Sequence, residues 1–494
     1  MNIGFSQHTF KFFSMICLFF HISCNHTKKL SSGLYDDTYL IYNAQIIGVT
    51  DGNILKDNAI LITGENIKII DEYSHLKDIV PFSKHIDVEN KFLIPGLWDM
   101  HVHIEGEDLV EDNLALFQVY LAYGITTVRD MASDLGEQVL KWRDEINQGK
   151  LLGPQIFTAG RKLEGINSIW KGDLEIGNEN DMLEMLDKLE AYNVDQIKIT
   201  ENTLGADLFL KSVQESRKRG FKVSGHVPID LSIYDLADAG YSSIEHASYL
   251  LRLGSDEKKM VDLIKSGQLS SFNANEIYES NFDQETAHKA YKMLAAKNVA
   301  VTPTLIGSKQ LAFLDEDNHQ NDKYLDLLSD RFISKYTWRI QRMANDTEEQ
   351  KSKRKYRYNL VAQQLPFLQK AGVKILAGSD AAALNTYVYP ALSLHEELVL
   401  FQKAGLTPIQ ILQSATIHGA EFMGVFDKKS TISVGKEADM VILNSNPLDD
   451  ISATQDIHAV INNGQYFSRN QLDQMIISAK QIKITLDNKR KDSK

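Results

Sequence analysis

The chain has 494 residues, 43% hydrophobic and 24% charged, enough for one large domain with a smaller one beside it. A formal net charge of -13 excludes a partner bound through a basic surface, nucleic acid above all. Both cysteines, Cys17 and Cys24, lie in the N-terminal apolar segment, so a metal in the folded body must be held by histidine, carboxylate or a modified lysine.

In chain order, Lys11 precedes an apolar run from Phe12 to Ile22, too short to cross a bilayer core of roughly 30 Å comfortably. It ends in His21-Ile22-Ser23-Cys24, which resembles a bacterial lipobox with His21 in place of the usual Leu. Residues 1–23 are therefore expected to be a signal peptide, with Cys24 lipidated and the protein exported to the cell envelope or periplasm. Plain secretion and an uncleaved anchor are the other outcomes. Any contact with the membrane is expected only through that lipid anchor.

From Tyr39 to Phe92, short strand-like runs are punctuated by Gly48, Gly52-Asn53 and Gly64-Glu65-Asn66, a spacing that predicts hairpins. The same texture returns at Ala438 to Leu443 and His458 to Ile461. Residues 38–95 and 431–470 are thus predicted to form one composite β-sandwich domain from both flanks. Between them, over 96–430, strands and amphipathic helices alternate. Candidate strands are Leu97 to His103, Thr126 to Asp130, Gln155 to Ala159, Gln196 to Thr200, Lys222 to His226, Ser243 to His246, Ala300 to Thr304 and Lys374 to Ser379. Eight strands with intervening helices predict an α/β fold, a (β/α)8 TIM barrel. The seventh connection carries a charged, helical insertion from Asn321 to Lys370, and 471–494 reads as a C-terminal helix with a charged tail.

The chemistry-bearing residues fall at strand ends. His101 and His103 stand two apart, so alternation puts both imidazoles on one face. Lys198 lies on the fourth strand between Ile197 and Ile199, His226 ends the fifth, His246 ends the sixth, and Asp380 follows the eighth. A barrel gathers the C-terminal ends of its strands at one mouth. Neutral imidazoles and a carboxylate suit Zn2+ or a similar ion. Lys198 as an ammonium would repel a metal pair, whereas a buried neutral amine could take up carbon dioxide and become a bridging carbamate. Two divalent ions sharing a water would then supply hydroxide near neutral pH. Asp380 would be both ligand and proton carrier.

These residues sit in motifs that resemble the amidohydrolase superfamily, in its imidazolonepropionase-related, prolidase-like branch. Leu93-Ile94-Pro95-Gly96-Leu97-Trp98-Asp99-Met100-His101-Val102-His103 is similar to the family's opening signature. Gly124 to Asp130, Ile197-Lys198-Ile199, Gly225-His226-Val227-Pro228, Ile244-Glu245-His246 and Gly378-Ser379-Asp380 follow in order, and Gly435 to Leu443 is similar to the return to the small β-domain. Trp98 and His418 depart from the common pattern outside the ligand positions.

The resemblance implies a binuclear metallohydrolase cleaving an amide, most plausibly a dipeptide or N-acyl amino acid. A mononuclear site of His101, His103, His226 and Asp380 that opens a cyclic amide or deaminates a ring stays open. So do lactone or phosphoester hydrolysis and an envelope binding protein without catalysis. The partner is a small-molecule substrate, with a homo-oligomer also expected. Weaker candidates for substrate contact are His395, Arg129 and Tyr249. For His395 a helix-face structural role, and for Arg129 an ion pair with Asp130, are equally open.

Overall fold

A computed structural model describes residues 37–492; the expected leader, with Cys17 and Cys24, lies outside the described residues. The N-terminal flank supplies β1 (Thr38–Ile47), β2 (Ile54–Thr63), β3 (Asn66–Glu72), β4 (His85–Asp87) and β5 (Phe92–Pro95). The middle holds β6 (Leu97–Val102), β7 (Ile125–Asp130), β8 (Gln155–Thr158), β9 (Leu163–Gly165), β10 (Leu174–Ile176), β11 (Ile197–Ile199), β12 (Val223–Gly225), β13 (Ser243–Glu245) and β14 (Ala300–Thr302). After a run of helices come β15 (Met440–Leu443), β16 (Ile457–Asn462) and β17 (Gln465–Ser468).

Where the sequence predicts a sandwich, the flanking strands form one eight-stranded sheet, ordered β17-β16-β15-β5-β1-β2-β3 with β4 beside β1. The short β5 causes this: it pairs parallel with β1 at Ile46–Leu93 and antiparallel with β15 at Leu93–Ile442, joining the flanks edge to edge. Strand alternation then divides the side chains. Leu93, Met440, Ile442 and Ile461 close one core with Ile41, Ile60 and Ile62, while Ile94, Val441, Leu443 and Val460 point into the large core of the middle region. Both faces of these central strands are buried, which is why they read as unbroken apolar runs.

The middle region is α/β with all strands parallel, in a three-stranded sheet β6-β7-β8 and a six-stranded sheet β10-β9-β11-β12-β13-β14. Segment 163–177, outside the eight predicted strands, contains β9 and β10. The predicted strand Lys374 to Ser379 is instead an extended segment with isolated parallel bridges, Val301–Ile375 on one side and Val102–Ala381 on the other. Its backbone pairs irregularly with β6. Asp380 has φ 60, and its N–H donates to His101 O at 2.7 Å while Met100 N–H donates to Ala377 O at 2.8 Å.

The inserted stretch folds into helices Asp330–Lys335, Thr337–Met343 and Glu348–Ala362, the last opened by a capping box between Thr347 and Gln350. The terminal helix Arg469–Asp492 packs along Val110–Ala122. Among the described residues no helix is long and apolar enough to cross a membrane.

Candidate metal centre

His101 lies within β6, and His103, His226 and His246 follow directly on the last residues of β6, β12 and β13. Lys198 is the central residue of β11. Two glycines make the close approaches possible. A Cβ on Gly378 would stand 2.8 Å from both His101 N and Cβ, and one on Gly225 (φ 151) would meet Ile199 O at 2.0 Å. His246, Thr304 and Asp380, with φ of 71, 49 and 60, adopt a backbone that side chains disfavour, and all three border the site.

Each imidazole is held through Nδ1. His101 Nδ1–H donates to Glu245 at 2.8 Å, His103 Nδ1–H to the Ala132 carbonyl at 2.7 Å, and His226 Nδ1–H to Glu201 at 2.8 Å. These partners can only accept, so the tautomer is fixed and Nε2 of each neutral ring carries the free lone pair. His246 Nδ1 is 2.8 Å from Thr304 Oγ1. The Nε2 atoms converge: His226 and His246 face each other at 3.2 Å, while His101 and His103 lie 3.3 and 3.4 Å from Asp380 Oδ1. His101 Nε2 is buried without a hydrogen-bond partner. An orphaned lone pair on a fully buried ring of the right tautomer is a cost that a coordinated cation removes. Ligand atoms of His101, His103 and Asp380 all lie within 4.8 Å of one another.

At His101, His246 and Asp380 the electrostatics favour the protonation states a cation needs, whereas at His103 burial is outweighed by the Asp380 carboxylate, which raises the imidazole. Burial, then the charge of Lys198, push His101 down to about 4. Burial also carries His246 well below the imidazole range. Burial would raise Asp380, but the surrounding histidines outweigh it and keep the carboxylate ionised. Lys198 is 1% exposed, has no hydrogen-bond or ion-pair partner among the described residues, and is lowered by burial to about 8. At pH 7 about a tenth of it is therefore unprotonated, nucleophilic amine, far more than for an ordinary lysine.

Arg129 and His395 take other places than the mouth contacts expected of them, while Tyr249 faces a cavity. Arg129 is fully buried beneath the histidines and pairs with Glu245 rather than Asp130. Its Nη2 donates to both Glu245 oxygens at 2.9 Å and its Nε to Met100 O at 2.6 Å. Asp130 instead accepts from Ile104 N and Thr158 Oγ1. His395 is also fully buried, between the Tyr123 carbonyl and Thr454 Oγ1, each at 2.9 Å. Tyr249 donates to Glu201 at 2.8 Å and lines a cavity of about 370 Å³ beside His226.

The supporting residues were not read from sequence. Glu201 stands three residues after Lys198, and Glu245 directly precedes His246. Each was visible only as a neighbour of a ligand. Glu164 accepts from Gly165, Asn202, Thr203 and Leu204 N–H and so fixes the loop that carries Glu201. Asp99 accepts from Ser379 N–H and Oγ, pinning the turn before Asp380.

The amidohydrolase family model matches residues 92–466. An adenine deaminase from Thermosipho africanus is 26% identical over 196 residues, 38% of this chain and 32% of that protein; the chain thus spans about a third of that relative's length. An ochratoxinase from Aspergillus niger is 23% identical over 444 residues, covering 83% of this chain and 82% of that one. Among solved structures, a Xaa-Pro dipeptidase with methionine bound in its active site superposes with a TM-score of 0.63 at 20% identity, over 87% of this chain and 100% of that one.

Proposed function

Because the chain belongs to the amidohydrolase family, we propose that it hydrolyses a C–N bond of the amide or dipeptide kind at a two-metal centre on a closed (β/α)8 barrel. Closure is supported by segment 374–381, whose bridges to β14 and β6 link the two parallel sheets on that side. Metal dependence rests above all on the four histidines, each anchored at Nδ1 and offering Nε2 to one space.

His101, His103 and Asp380 would hold one divalent ion, Zn2+ or similar, and His226 and His246 the other, with carboxylated Lys198 between them. The support for Lys198 is its burial, its lack of a partner and its lowered pKa. When bound, such ions polarise a carbonyl and bring the pKa of water toward neutrality. Asp380 is kept ionised and takes the proton of the attacking water as oxygen joins the carbonyl carbon. It returns that proton to the nitrogen as the C–N bond breaks. Glu245, Glu201 and Thr304 keep the imidazoles aimed throughout. The names of the ochratoxinase and dipeptidase relatives favour an amide over a lactone or phosphoester. Export with a lipid on Cys24 completes the proposal, supported by the apolar run and lipobox-like ending.

Elemental analysis of protein purified with bicarbonate and without a metal-binding tag tests the centre. About two ions per chain, falling sharply in Lys198→Ala, are expected. One ion indifferent to Lys198 would move the assignment to the mononuclear site, and none after reconstitution would leave a binding protein. Asp380→Asn should abolish turnover; retained activity would remove it from the proton path.

A further inference from the structure

The mouth has one wall the metal centre does not explain. Trp170, from the segment between β9 and β10, and Trp338, from the inserted helix Thr337–Met343, meet edge to face with centroids 5.7 Å apart. Arg339 and Arg342 lie over the Trp338 ring at 5.4 and 4.8 Å, and Lys162 stands 5.7 Å from Trp170. Lys162 is neutralised by Asp173 at 2.9 Å.

Arg339 feels the carboxylates of Asp380 and Glu105 only at a distance and makes no contact ion pair among the described residues. Its Nε donates to Leu384 O at 3.1 Å and its Nη2 to Asn385 Oδ1 at 2.5 Å, while Nη1 donates to nothing among the described residues. Among these residues no carboxylate oxygen lies within 4.0 Å of it, whereas the buried Arg129 and Arg252 are paired at 2.9 and 2.6 Å. Asn385 in turn donates to the carbonyl of Asp380 at 2.7 Å, so one side chain separates the guanidinium from the proposed proton carrier. A half-buried guanidinium with an unused Nη1 is well shaped for a carboxylate.

We propose that Arg339, with Trp338 and Trp170, is the substrate-recognition site, taking a free carboxylate on the guanidinium and a flat apolar group on the tryptophan pair. The inserted helix would thereby select anionic, aromatic amides. This assignment rests on the amide-hydrolase reading for its substrate class, but its binding step is measured separately.

Hippurate and N-acetyl-L-phenylalanine are titrated against their neutral primary amides. Tryptophan fluorescence of the holoenzyme is followed in the first seconds after mixing, and amine release is assayed apart. Trp98 and Trp142 are buried, so the signal reports Trp170 and Trp338. At least one acid should bind about tenfold or more tighter than its amide, as a charged hydrogen bond provides. That ratio should fall to about one in Arg339→Met and be largely kept in Arg339→Lys. Trp338→Leu should weaken acid and amide alike. Equal binding of acids and amides, no binding by either pair, or a ratio that survives Arg339→Met would overturn the proposal. Should Arg339→Met not fold, the wild-type ratio and its retention in Arg339→Lys still decide. Discrimination without amine release would instead refute hydrolysis and leave the clamp standing.

Discussion

Replacing Arg129 with Met tests whether the floor beneath the histidines is electrostatic. The guanidinium and Glu245 are both completely buried, joined at 2.9 Å, and the same carboxylate receives His101 Nδ1–H. Arg129 also reaches Gln196, Ser224, Ser243 and Thr302, tying β7 to strands across the region. Removing one partner of a buried pair strands the other charge, at a cost of about 3–5 kcal/mol. Arg129→Met is therefore expected to lose about 4 kcal/mol in urea unfolding followed by circular dichroism. Adding Glu245→Gln removes the stranded charge while its amide oxygen still accepts from His101. The double variant should regain about 2 kcal/mol and should hold metal better than the single one. A single variant within about 1 kcal/mol of wild type, or a double no more stable than the single, would refute this account.

The proton on His395 gives a pH signature. Burial lowers this imidazole to about 4, outweighing the opposing effect of the hydrogen bond to Tyr123 O, while Nδ1 faces Thr454. Its folded pKa is depressed, so the stability it contributes is present above the ordinary value of about 6.5 and is lost as pH falls toward 4, about 3 kcal/mol in all. Unfolding midpoints at pH 7 and pH 4.5 should differ more in wild type than in His395→Gln; equal differences would clear His395. For Glu201→Gln, which weakens the acceptor behind His226, metal affinity is expected to fall about 10–100-fold in a competitive chelator titration, with unfolding little changed. Unaltered affinity would show that Tyr249 and the ring's packing suffice to aim His226.

Which residue types could serve as ligands, and roughly where strands end beside them, follows from sequence because both are local properties. His101 and His103 share a face through strand alternation, and His226 and His246 follow Gly225 and Glu245 where apolar strand runs stop. The same local logic predicts the helices of the insertion but misplaces the sandwich, since β5 has partners on both sides that its own residues do not announce. It fails more sharply for the charged residues. Glu245 is 144 residues from His101 and 116 from Arg129, yet these contacts set the imidazole tautomer and the floor of the site. His395, in a charged and apparently exposed helical stretch, is buried by Thr454 from the far end of the chain. Burial, tautomer and pKa belong to what surrounds a side chain. The register of distant strands decides those surroundings, and only the tertiary structure brings them together.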